Sequence, residues 1–291
     1  MKELVIISGK GGTGKTSLTA SMAILAQNCV LCDADVDAAD LHLLLKPELV
    51  EKHDFKGGGL AEIEADKCTA CGLCHDLCRF DAVDNENWRI DPVACEGCGV
   101  CVDLCPEQAI AFPEQKCGEW FISKTRVGPM VHARLGIAEE NSGKLVTLIR
   151  QQAQEVASRD NLDLIITDGP PGIGCPVIAS IGGAAAVLIV TEPTVAGVHD
   201  LQRVTALADH FKVPCMVLIN KFDLNADNTR LIRRKAAEAH MPVVGEVPFD
   251  PVFTQAMVQG QTAMEYNGAG KIQSIVKKVW EAVLNAPAMR D

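Results

Sequence analysis

Apolar residues fall along this chain in two rhythms. Short unbroken runs recur: Leu4 to Ile7, Cys29 to Cys32, Leu162 to Asp168, Ala185 to Thr191, Pro214 to Asn220 and Val243 to Val247. Runs of that length without alternation predict strands covered on both faces. Between them, apolar positions three and four apart predict helices. These run over Thr16 to Ala26, from the Asn141-Ser142-Gly143-Lys144 segment to about Ser158, from about 195 to 210 and from about 228 to 239. Trp120 to Ser123 and Met130 to Ala133 add two short strands. Residues 50–65 read as mixed, with a turn at Gly57-Gly58-Gly59. A last amphipathic helix carries Ile272, Ile275, Val276, Val279, Val283 and Leu284. It is expected to pack on the sheet, although a membrane-surface helix flanked by Lys271, Lys277 and Lys278 would look similar. Strands alternating with helices predict an α/β fold with a doubly wound, mainly parallel sheet.

The rhythm breaks between residues 66 and 113. Apolar residues thin out and the spacing C-x2-C-x2-C-x3-C occurs twice, at Cys68, Cys71, Cys74 and Cys78 and again at Cys95, Cys98, Cys101 and Cys105. The doubled spacing is that of a bacterial two-cluster ferredoxin, in which the fourth cysteine of each run serves the other cluster. One [4Fe–4S] centre is therefore expected on Cys68, Cys71, Cys74 and Cys105, and a second on Cys95, Cys98, Cys101 and Cys78. A pair of zinc sites is the competing reading, since C-x2-C pairs also bind zinc. Pro106 follows the second run, whereas Arg79 stands at that place in the first. The expected organisation is a discontinuous α/β domain, 1–65 and 114–291, with a small α+β ferredoxin-like module inserted at 66–113. So little apolar content implies that the module is folded by its clusters.

Composition narrows the setting. With 291 residues and 48% hydrophobic content, the chain can bury a large core. A formal charge of −11 argues against a broad nucleic-acid or anionic-membrane surface. The first strand begins by position 4 and no apolar run reaches the roughly 20 residues of a membrane span, so neither a leader nor an integral membrane segment is expected. The cytoplasm is the expected compartment, and there thirteen cysteines point to metal or redox chemistry rather than disulfides.

The first strand leads into Gly9-Lys10-Gly11-Gly12-Thr13-Gly14-Lys15-Thr16, which satisfies G-x-x-x-x-G-K-[ST] in the strand-to-helix context that a phosphate loop requires. Glycines let successive N–H groups face one anion, and the following helix adds the positive end of its dipole. Lys15 would reach the β/γ-phosphates, and Thr16 would offer its hydroxyl to Mg²⁺. Ser17 completes the loop's contacts. After the second strand, Asp33, Asp35 and Asp37 lie where a sheet's ligand crevice opens, able to hold Mg²⁺ through water or to orient an attacking water. Helix capping by Asp37 or Asp40 is the plainer role for those two. Asp168 ends another buried strand and would hold Mg²⁺ opposite Thr16. The adjoining Gly169-Pro170-Pro171-Gly172 is expected to sense a γ-phosphate, with Gly172 in contact. Asn220-Lys221-Phe222-Asp223 could read guanine. The Asn220 amide could equally meet adenine, with Lys221 alongside and Pro248 of Val247-Pro248-Phe249-Asp250 on the other wall. His132, alone in an apolar strand, is expected to be structural.

Taken together, Gly9 to Thr16, the Asp33-Ala34-Asp35 segment with Asp37, and Asp168-Gly-Pro-Pro-Gly resemble the MinD/ParA-like P-loop ATPases, specifically members with an inserted two-cluster ferredoxin module. The resemblance spans essentially the whole chain and extends to nitrogenase-iron-protein and Mrp-type cluster-assembly ATPases. It implies ATP/ADP and Mg²⁺ as ligands. Lys10 would be a signature lysine that crosses a dimer interface to the partner's nucleotide, in a homodimer or a heterodimer with a paralogue. Lys10, Lys15 and Asp35 would be catalytic, with Asp35 positioning the water. The implied function is a slow, partner-stimulated ATPase that couples a nucleotide-dependent switch to electron transfer or metallocluster assembly in a redox or metallocluster-bearing partner protein. Two alternatives stand beside it: a spatial switch with structural clusters, and a ferredoxin-type carrier with a regulatory nucleotide domain. In nitrogenase-iron-protein relatives a cluster bridges the dimer through two cysteines of each subunit. Here Cys175 alone lies near the switch, so a shared third cluster would need another thiol such as Cys117.

Overall fold

The structure is a computed structural model, and it describes residues 1–136 and 141–290. Two compact units emerge: one of Met1–His53, Glu119–Leu135 and Ser142–Asp291, the other of Asp54–Gly118 with Gly136–Asn141.

The chain opens with β1 (Lys2–Ser8), α1 (Lys15–Ala26), β2 (Val30–Asp33) and the short α2 (Leu41–Leu45), and then β3 (Glu48–Gly59). The second unit follows with β4 (Glu62–Ile63), α3 (Leu73–Leu77), β5 (Val83–Asp84), β6 (Arg89–Ile90), α4 (Val100–Asp103) and β7 (Ile110–Ala111). Next come β8 (Glu114–Lys124), β9 (Pro129–Leu135), α5 (Ser142–Arg159) and β10 (Leu164–Pro171). The remainder alternates through α6 (Cys175–Ile181), β11 (Ala186–Thr191), α7 (Val195–His210), β12 (Cys215–Asn220), α8 (Ala226–Glu238) and β13 (Val243–Val247). It closes with α9 (Val252–Val258), α10 (Gly270–Asn285) and α11 (Pro287–Arg290). Among the described residues no helix is long and apolar enough to cross a membrane.

The main sheet runs β13-β12-β11-β1-β10-β2-β9-β8-β3. From β13 through to β9 every pairing is parallel. Both faces of these strands are covered, as their unbroken apolar runs require: Leu4, Ile6 and Leu188 join one core with α1 and α10, while Val5, Ile7 and Ile189 join the other with α6, α7 and α8. The last helix buries Ile272, Val276, Val279, Trp280 and Val283, so its apolar stripe packs in the core. Sequence periodicity missed several elements, the short α2 and α11 among them. Residues 50–65, read as mixed, contain most of β3, and neither α6 nor α9 was marked.

In the first unit, His132 on β9 is largely buried, its Nε2 2.9 Å from the Ser123 hydroxyl and its ring stacked 5.0 Å from Phe121. Burial pushes its pKa down to about 4. An unfolded chain at about 6.5 binds the proton more readily, so stability is full above that value and is lost as pH falls toward 4. Lowering pH from 7 to 5 should cost about 2 kcal/mol through this group. His132→Gln should flatten that dependence in urea unfolding followed at the two pH values; an unchanged slope would assign the acid sensitivity elsewhere.

In the second unit, β4 pairs antiparallel with β7 and β5 with β6. Helices α3 and α4 each begin after a left-handed glycine, Gly72 (φ +85°) and Gly99 (φ +75°). Both lie inside a Cys-Gly-x-Cys tetrapeptide, so the duplication seen in sequence is repeated in backbone conformation.

Candidate functional site

Strand β1 lies near the middle of the sheet and delivers Gly9 to Thr16 from its C-terminal end, where an open α/β sheet has its ligand crevice. Two glycines are needed here for stated reasons. Gly14 precedes α1 at φ +86°, and a Cβ there would come within 2.5 Å of Asn220 Nδ2. Gly9 lets the loop pass the α7 backbone, where a Cβ would lie 2.2 Å from that of Asp200.

The side chains expected to handle phosphate and magnesium converge. Lys15 Nζ lies 2.9 Å from Asp168 Oδ1 and 3.7 Å from Asp35 Oδ2. Thr16 donates to Asp168 Oδ2 at 2.7 Å, and Thr19, which sequence reading passed over, donates to Oδ1 at 2.9 Å. Parallel pairing of β10 with β2 sets Asp168 beside Asp33 in register. Burial disfavours charge on Lys15, but the carboxylates of Asp168 and Asp35 outweigh it and hold its pKa above the usual value. Burial, reinforced by Asp168, pushes Asp35 up to about 6 and Asp33 well above the ordinary carboxylate range. Three acidic side chains facing one lysine form a site that a further cation would relieve. Asp33 also performs the capping work considered for Asp37 and Asp40. Its Oδ2 accepts from Leu41 N at 3.2 Å, while Asp40, at the N-cap of α2, makes no capping bond with its side chain.

Lys10 is engaged within its own chain. Its ammonium pairs with Glu192 and donates to Thr194 Oγ1 at 3.3 Å. The same carboxylate takes Lys221 Nζ at 2.9 Å, and Lys221 also donates to Gly12 O at 2.9 Å. Burial opposes ionisation of Glu192, yet the hydrogen bonds from Lys10 and Lys221 hold its pKa below the usual value. Glu192 follows the end of β11, the kind of strand-end carboxylate that marked Asp35 and Asp168, and it could have been found on that signal.

On the base side an open cleft is lined by Gly12, Gly14, Ser17, Asn220, Lys221 and Pro248. Phe249 and Asp250 of the Val247–Asp250 segment stand at its wall with Pro248, and α9 adds Phe253, Thr254 and Met257, which the sequence did not point to. The Asn220 amide is already engaged, donating to Thr13 O at 2.6 Å and accepting from Lys221 N at 3.0 Å. Asp223, the acid of N-K-F-D, accepts from Phe249 N at 2.7 Å, so it braces the wall of the cleft. Gly172 stands at φ +94° with its N–H donated to Ser8 O at 2.9 Å, so that donor is engaged inside the chain. The Thr13 hydroxyl is buried and has no hydrogen-bond partner among the described residues.

In the second unit, Cys68, Cys71, Cys74 and Cys105 line one cavity, with Cys101 also at its wall. Burial, then the charges of Cys68 and Cys71, pushes the Cys74 thiol up; burial, then Cys95 and Cys98, does the same for Cys101. Cys117 is buried, with its thiol donating to Gly57 O at 2.5 Å. Cys175, in the first unit, is exposed at the start of α6. Among the described residues no three His, Cys, Asp or Glu side chains close on a single metal ion.

Comparison with known proteins bears on the family and the fold. An uncharacterized protein of Methanocaldococcus jannaschii is 35% identical over 230 residues, covering 78% of this chain and 80% of the relative. The cell division ATPase MinD of Pyrococcus furiosus aligns over 97% of this chain and 98% of its own, with a TM-score of 0.58 at 16% identity. The septum site-determining protein MinD of Pyrococcus horikoshii, solved with Mg-ADP, covers 98% and 96% with a TM-score of 0.60 at 17% identity. At those identities the two structures establish the fold alone. Residues 4–263 match the CobQ/CobB/MinD/ParA nucleotide binding domain, and the chain belongs to that family.

Proposed function

We propose that this chain is an ATP-driven switch of the MinD/ParA kind that dimerises around its nucleotide, and that residues 66–113 form a module holding two [4Fe–4S] clusters. The observation that carries the switch is the convergence of Lys15 and Thr16 on Asp168, with Asp35 beside Lys15, beneath the glycine loop. Mg²⁺ is normally held by one or two carboxylates together with substrate phosphates, so a site without an all-protein cage suits it. Bound Mg²⁺ would neutralise charge on the β- and γ-phosphates. Loop N–H groups and Lys15 would bind the phosphates, Thr16 and Asp168 would hold the ion, and Asp35 would orient the attacking water. The cleft formed by Lys221, Pro248 and Phe249 would seat the base, with Asn220 fixing the loop beside it.

Lys10 gives the switch its test. Its ammonium must leave Glu192 before it can reach a partner's phosphates, where it would stabilise charge developing on the transferred group. Light scattering should show the mass doubling with a non-hydrolysable ATP analogue and not with ADP. Lys10→Ala should stay monomeric and lose about a hundredfold in turnover. A variant that dimerises and hydrolyses ATP like the wild type would remove Lys10 from the mechanism.

The solved relatives lean toward a spatial switch, since they are cell-division proteins. The cysteine cradle favours a coupled role, in which nucleotide state controls delivery of electrons or of a metallocluster to a partner. A cubane gives each cysteine its own iron, so its ligands ring the cluster rather than closing on one ion. The gathering of Cys68, Cys71, Cys74 and Cys105 around one cavity supports that arrangement, including the crossed fourth ligand.

A further inference from the structure

The chain's acidity is concentrated. Residues 54–118 hold thirteen Asp and Glu against five Lys and Arg, a formal charge of −8 out of −11, which leaves −3 for the rest of the chain. Within that segment α3 and α4 pack against each other, and neither buries a side chain. Apolar residues are open to solvent there: Leu73 is 39% exposed, Val100 41% and Leu104 53%. Leu73 and Leu104 stand at the wall of the cavity that Cys68, Cys71, Cys74 and Cys105 line. Exposed carboxylates flank them, Asp76 on α3, Asp103 on α4 and Glu107 just beyond. No lysine or arginine lies on either helix. The histidine on α3, His75, sits 3.4 Å from Asp76.

We propose that the α3–α4 face is a docking surface for a protein that presents lysines and arginines around an apolar centre. An apolar centre inside a charged rim is the usual anatomy of a transient interface. A one-signed rim steers an oppositely charged partner and sets its orientation. Among the described residues Leu104 is left 53% exposed, and a rim of carboxylates selects against acidic partners. Docking there would bring the partner to the cysteine cradle.

The inference rests on reading 66–113 as a cluster-bearing module, and iron content measured on every variant separates the two ideas. The probe is a basic c-type cytochrome, whose lysines ring an exposed apolar edge, titrated against the anaerobically purified full chain. Binding should weaken about tenfold between low and physiological salt. The triple variant Asp76→Lys, Asp103→Lys, Glu107→Lys should weaken it about tenfold at low salt, and Leu104→Ser about threefold with the salt dependence unchanged. A control of equal charge change on α8 and α10, Asp227→Lys, Glu238→Lys, Glu281→Lys, should alter binding by less than about twofold. Equal weakening by both triples would mean that net charge alone is read, and would overturn the proposal. So would affinity indifferent to salt, or no binding by a protein with full iron. If the module triple loses iron, the single variants Asp76→Lys and Asp103→Lys decide the matter. With iron retained, each should weaken binding about threefold, and wild-type affinity in both would overturn the surface.

Discussion

Lys15→Ala should abolish nucleotide turnover, lowering kcat/KM by about a thousandfold or more, and should also destabilise the fold. The first effect follows from the place of Lys15 at the end of the glycine loop. An ammonium directed at the phosphates contributes most as charge shifts in the transition state, and a thousandfold corresponds to about 4 kcal/mol. The second follows from the surroundings of the ammonium, which lies among Asp168, Asp35 and Asp33 with 6% of its side chain exposed. Breaking a buried ion pair leaves the partner's charge uncompensated, at a cost of about 3 kcal/mol. Lys15→Met combined with Asp168→Asn should recover most of that stability without recovering turnover, because it removes a carboxylate along with the lysine. Urea unfolding and phosphate release on the three proteins separate the effects. Turnover within tenfold of wild type in Lys15→Ala would show that the lysine does not handle the phosphates.

Much of this site could be read in the sequence because its chemistry is local. Gly9 to Thr16 is one uninterrupted stretch, and Asp35 and Asp168 lie just past or at the end of apolar runs whose parallel pairing brings strand ends to one edge. Helix α7 was readable at both ends, opening after Thr194, whose hydroxyl accepts from Gly197 N at 3.0 Å. What escaped notice depends on distance along the chain or on solvent. The engagement of Lys10 by Glu192 joins residues 182 positions apart, and no local pattern announces it. Strand β3 lies at the edge of the sheet, and its first seven residues are mostly exposed, so Glu48 to Asp54 carry no apolar alternation to detect. Helix α6 has Pro176 in its first turn, which reads as a breaker although the first turn is where a helix tolerates proline. The Val247–Asp250 segment is legible as a cleft wall, but the bond from Phe249 N to Asp223 that braces it spans 26 positions and leaves no local signal.

Purified without oxygen, the chain should carry about eight iron atoms per protomer, and loss of single cysteines should remove them in fours. The crossed ligand set makes the test specific. Cys105→Ala should remove the same centre as Cys71→Ala, although the two lie in different runs, whereas Cys98→Ala should remove the other. Cys105 lines one cavity with Cys68, Cys71 and Cys74, and Cys101 of the other set reaches the same wall. The consequences for folding should be large and confined to the module. Its helices α3 and α4 have four or five residues and bury no side chain, and its strands β4 to β7 have two residues each. Elements that short repay little of the conformational entropy of ordering them, so on the proposed reading the clusters supply the module's stability. Removal of iron should therefore expose residues 66–113 to proteolysis while nucleotide binding by the first unit persists. About two zinc ions per chain, with no visible absorption, would replace the clusters with tetrahedral sites. About ten iron atoms would instead require a centre shared between protomers through the exposed Cys175.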